Sequence, residues 1–120
     1  MRDEMTLEIP ADGTYAVTAR LFVVAAARDL GVADGIAEDL RLAASELVAN
    51  AVEAGQPGPI RLTLRGDAAA VRLEASGVGA LMDESPVSRR ALLESLFDAT
   101  DLGGDGSIHI RVPAGAGPQA

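Results

Sequence analysis

The hydrophobic and polar positions of this chain follow two periods in turn. Thr6–Ile9 alternates as a short strand does and ends at Pro10. ADGT at 11–14 is a turn, and Thr14 is placed to cap a first helix. Tyr15–Leu30 shifts to a helical period, with Val17, Leu21, Val24 and Leu30 apolar and Gly31 placed as a helix C-terminal glycine. Asp34 is a candidate cap for a second helix, and Glu38 and Asp39 suit its early turns. Ile36, Leu40, Ala43, Leu47 and Ala51 form its buried stripe; Gly55 and QPGP at 56–59 stop it. Ile60, Leu62 and Leu64 alternate with Arg61, Thr63 and Arg65, Gly66-Asp67 turns the chain, and Val71 and Leu73 alternate with Arg72 and Glu74, so the two strands form a hairpin. Pro86 is the expected start of a third helix with Leu92, Leu93, Leu96 and Phe97 on its apolar face. The GGDG turn at 103–106 leads to a last strand through Ile108, Ile110 and Val112. PAGAGPQA closes the chain, and 114–120 is an expected disordered tail behind a single domain over 1–113.

Strand, helix, helix, strand, strand, helix, strand is the order of an α+β two-layer sandwich. A mainly antiparallel mixed sheet of four to five strands is expected, covered on one face by three helices. Composition narrows the chemistry. Tyr15, Phe22 and Phe97 are the aromatic residues, so Leu, Val, Ile and Ala must build the core. The chain has no cysteine, which excludes disulfides and thiolate chemistry. His109 is the single histidine, which excludes a His-rich metal cluster. All ten basic residues are arginine, which excludes Schiff-base chemistry and a P-loop lysine. A net charge of −8 argues against direct binding to a nucleic-acid backbone. No apolar run approaches the roughly 20 residues that cross a bilayer. The start, MRDEMTLEIP, carries acid where a secretion signal carries base, so a cytoplasmic protein with no membrane association is expected.

The segment LAASELVANAVEAG at 42–55 carries the candidate chemistry. Glu46 and Asn50 lie four apart, one above the other on one helix face. A carboxylate and a carboxamide so placed offer oxygen ligands for a magnesium-bound phosphate, and the carboxylate can act as a base. Two side chains that simply face solvent are the alternative. Glu53 can share that face, although a solvated helix end accounts for it. His109 is read as facing solvent or pairing across the sheet, and Asp98, Asp101 and Asp105 as surface charge on a helix end and a turn.

The element order, together with ELVANAV at 46–52, resembles the histidine-kinase-like ATPase (GHKL or Bergerat) fold. Within it, the chain is most similar to bacterial anti-sigma-factor serine kinases over about Thr6–Val112. The resemblance implies that Glu46 is the catalytic base, that Asn50 holds magnesium, and that Gly77 and Gly79 let the backbone approach ATP. The family's D-x-G-x-G motif reads Ala75-Ser76-Gly77-Val78-Gly79 here, so the adenine-accepting aspartate is an alanine. Losing that partner costs roughly 1–3 kcal/mol. The glycine-rich segment at the start of the next helix aligns with Val87–Leu93, which has no glycine, and the lid between is short. Arg89 and Arg90 can meet phosphate as charges, but adjacent helical arginines are read as solvated or partner-facing. The implied partners are a sigma factor or a STAS-domain antagonist, with a homodimer as the family's usual state. Three readings stay open: a protein-binding regulator with weak or lost ATP binding, an active serine/threonine-protein kinase acting on a STAS partner, and an unrelated small α+β domain.

Overall fold

The computed structural model describes residues 3–67, 69–81, 83, 85–103 and 107–114. The elements are β1 (Glu4–Ile9), a 3-10 turn (Gly13–Tyr15), α1 (Ala16–Asp29), α2 (Asp34–Glu53), β2 (Ile60–Gly66), β3 (Ala70–Ser76), α3 (Arg89–Leu96), β4 (Ala99–Leu102) and β5 (Ile108–Pro113). The strands form one sheet in the order β1-β2-β3-β5-β4, and each neighbouring pair is antiparallel. The fold is the expected α+β sandwich, with an antiparallel sheet in place of a mixed one. β4 is the strand the periodicity did not reveal. Its four residues ATDL put Asp101 outward opposite His109 and Leu102 inward opposite Ile108, too short an alternation to register. Asp101 is therefore a strand residue, while Asp105 and most of the GGDG turn lie outside the described residues.

The ladder register separates the two faces of the sheet. Leu62, Ala75 and Ile108 align across three strands on the inner face, as do Leu64, Leu73 and Ile110. All six are buried against the helical layer. On the outer face Arg65, Arg72 and Arg111 form one cross-strand row, and Thr63, Glu74 and His109 another.

α2 buries Leu40, Ala43, Leu47 and Ala51, as its periodicity predicts, but Ala37 takes the fully buried place and Ile36 stays half-exposed. α1 differs more. Its buried residues are Ala19, Val23, Ala26 and Ala27, while Val17 and Leu21 are 53% and 66% exposed. Small side chains on both helices let them pack closely, so three alanines with Val23, and not Val17 or Leu21, mark the inner face of α1.

Three helix starts also differ from expectation. Asp12, not Thr14, caps the first turn, accepting the Thr14 N–H at 2.9 Å. Ala33 precedes α2 without a side-chain cap, and Asp34 is its first helical residue, bound to Arg28 at 3.2 Å. Pro86 sits in a turn closed by Ser88 N–H to the Ser85 carbonyl at 3.1 Å, where a proline suits the second position. Ser88 then caps α3, its Oγ accepting the Ala91 N–H at 3.0 Å. Gly31 ends α1 as expected, with Val32 N–H bonded to the Ala27 carbonyl at 3.0 Å. At the C-terminus, Pro113 belongs to β5 and Ala114 N–H donates to the Ala69 carbonyl at 3.0 Å. Residues 115–120 lie outside the described set. No helix among the described residues is long and apolar enough to cross a membrane.

Candidate functional site

α2 turns its buried stripe to the sheet, which leaves Glu46, Asn50 and Glu53 on the flank facing α3 and the chain after β3. The two expected site residues are thus brought together beside a structured wall and not in open water. Asn50 Nδ2 donates to the Val78 carbonyl at 2.8 Å, with the Gly79 and Ala80 carbonyls at 3.3 and 3.4 Å. Three acceptors around one nitrogen fix the amide orientation, because the carbonyl oxygen of Asn50 could make none of these bonds. Asn50 therefore tethers α2 to the 78–80 turn.

Gly77 and Gly79 shape that turn. Both have positive φ, 76° and 81°. A Cβ on Gly77 would stand 2.2 Å from the Pro59 carbonyl oxygen, and one on Gly79 would stand 3.1 Å from Ala54 Cβ and 3.4 Å from Asn50 Nδ2. The turn packs against the chain itself at both glycines. Their presence has a complete account in backbone geometry and close approach.

Arg89, the first residue of α3, closes the site. Its Nε–H donates to Glu46 Oε1 at 2.9 Å. Its two terminal nitrogens donate to the two oxygens of Glu53, each at 2.9 Å, as a two-pronged fork. The Glu46 and Arg89 side chains are 29% and 24% exposed. The Arg89 guanidinium holds the Glu53 carboxyl below the usual carboxylate range, through hydrogen bonding first and charge second. Arg89 is in turn raised above the ordinary arginine value by Glu53 above all and by Glu46, against an opposing effect of burial. Glu53 remains an exposed helix end, as expected, but one paired with Arg89, whose own side chain is 24% exposed and turned to α2. The one available signal was charge: Glu46 and Glu53 lie two turns apart on one helix flank, where a single cationic side chain can reach both.

Arg89 lies between two hollows. One of about 320 Å³ adjoins Asn50, Glu53, Leu81, Arg89 and Arg90; the other of about 340 Å³ adjoins Glu46, Ser88, Arg89, Leu92 and Ser95. Arg90 lines the first of these hollows and reaches the Leu81 carbonyl at 3.4 Å and Glu94 at 3.6 Å. Among the described residues no group of three or more His, Asp or Glu side chains could hold a metal.

At the other end, Ala75 is buried on the inner face in line with Leu62 and Ile108. The ladder runs without a bulge from Arg61↔Ser76 to Thr63↔Glu74, so neither Glu74 nor Ser76 is turned inward. Glu74 meets Arg65 at 3.5 Å and His109 at 3.9 Å on the outer face, away from the cleft. His109 is half-exposed there, as expected.

Comparison with protein-family models matches residues 9–110 to the histidine kinase-like ATPase domain. The chain belongs to that family. A comparison with curated proteins finds no match. Membership accounts for the layer arrangement. As arranged here, however, the residues of this histidine kinase-like domain do not fit a magnesium–nucleotide complex. Asn50 Oδ1 is a suitable oxygen ligand, but the Glu46 carboxylate is held by Arg89 and position 75 offers no acceptor for an adenine amino group.

Proposed function

We propose that this domain is a bacterial anti-sigma-factor-like regulator that acts by protein–protein binding, with weak or lost ATP binding. Its partner is a sigma factor or a STAS-domain antagonist, and it works in the cytoplasm, as a homodimer in the family's usual manner. The observation that carries this reading is the Arg89–Glu46 bond at 2.9 Å: it occupies Oε1 of the carboxylate that would have to reach a substrate hydroxyl or a water. Ala75 and the glycine-free start of α3 support it. A net charge of −8 favours rapid association with a basic partner surface.

Active serine/threonine-protein kinase chemistry is the second reading. It is favoured by Asn50 and Glu46 lying one turn apart beside Arg89 and its two hollows, with Asn50 Oδ1 available to a metal. Co-purification of the tagged protein with each sigma factor and STAS protein of the source organism, with and without ATP, separates the two. The binding reading expects a stoichiometric complex that forms equally well without nucleotide. Transfer of phosphate to a STAS serine, lost in Glu46→Gln, would replace it with the kinase reading.

A further inference from the structure

We propose that Arg89 is the specificity-determining residue of the cleft: its guanidinium takes the place of a metal cation between Glu46 and Glu53, and a magnesium–polyphosphate can enter only when Arg89 is removed. The inference rests on the reading that nucleotide binding is weak or lost, and it names the cause. Two carboxylates flanking a carboxamide oxygen are hard-cation ligands by chemistry. Here three hydrogen bonds of 2.9 Å commit both carboxylates to one side chain. That side chain is held on a rigid base, because Arg89 is the first residue of a helix capped by Ser88 and anchored by buried Leu93, with buried Phe97 just beyond its end.

Truncating Arg89 has three consequences. The local charge of Glu46, Glu53 and residue 89 changes from −1 to −2, which attracts a divalent cation. The hollows of about 320 and 340 Å³ on either side of the guanidinium lose the group between them, opening a space of the size that ligand sites have. The helix stays docked, since Leu93 and Phe97 do not depend on Arg89 for their burial.

The test is calorimetric titration of the full chain and of Arg89→Gln, each with magnesium tripolyphosphate and with magnesium ATP. The expected result is a gain of about tenfold or more in affinity in Arg89→Gln, removed again by adding Asn50→Ala. A folded Arg89→Gln with no gain overturns the proposal. So does weaker binding in Arg89→Gln, which would make Arg89 a phosphate ligand. Should Arg89→Gln fail to fold, Arg89→Met, which keeps apolar bulk without the charge, carries the expected gain, and its absence overturns the proposal. Glu53→Gln keeps Arg89 on Glu46, so no gain is expected from it, and a tenfold gain in that variant overturns the proposal. Micromolar binding by the unsubstituted chain would contradict the regulator reading. The ratio between variant and parent still reports on Arg89 in that case.

Discussion

A methyl group on Gly77 would meet the Pro59 carbonyl oxygen at 2.2 Å, in a backbone conformation with φ of 76°. Gly77→Ala should therefore cost about 2 kcal/mol or more, read from urea unfolding midpoints with no ligand present. Asn50 has a comparable structural duty through its bond to the Val78 carbonyl at 2.8 Å. Asn50→Ala should destabilise the ligand-free protein by about 1–2 kcal/mol. An unchanged midpoint would show that the tether adds nothing and that Asn50 serves a ligand alone. Glu53 makes a pH-dependent contribution. Its carboxyl is held below the ordinary range by Arg89, so the stabilisation is complete above the unfolded glutamate value of about 4.3 and is lost as pH falls through the lower folded value. The melting temperature of the parent should exceed that of Glu53→Gln near neutrality and converge with it in acid. High salt should shrink the same gap, because the pair is partly exposed.

At the scale of elements, the strands were legible wherever inward and outward residues alternated over several positions. Ile60–Arg65 and Val71–Glu74 paired as a hairpin because each has a clean two-residue period. β4 was not legible because one inward leucine does not make a period. The inner face of α1 was misleading for a different reason: hydrophobicity scales weight Val17 and Leu21 above alanine, yet alanine is what fits where two helices meet closely. The contrast is measurable. Leu21→Ser should change stability by no more than about 0.5 kcal/mol, while Val23→Ala, on the fully buried side, should cost about 1–3 kcal/mol. Within the site, the α2 pair was legible from its four-residue spacing. Its engagement by α3 was not, since Glu46 and Arg89 are 43 residues apart and no local pattern reports a tertiary ion pair. Two adjacent arginines at 89 and 90 looked equivalent in sequence. The helix start fixed by Ser88 aims one at α2 and the other toward Leu81 and Glu94.

Across the whole molecule, one apolar face of an antiparallel sheet and a two-helix layer with α3 beside it enclose a core without tryptophan or cysteine. The family's architecture is kept, and the proposed loss of nucleotide binding rests on position 75, on 87–93 and on the bond that Arg89 makes to Glu46. Arg89 bridges Glu46 and Glu53 across the flank of α2. The decisive measurement is a crystal structure grown at saturating magnesium and ATP. The predicted result is Arg89 still bridging Glu46 and Glu53, with no nucleotide beside Gly77. A magnesium ion on Asn50, with the guanidinium swung clear and adenine seated near Ala75, would contradict it.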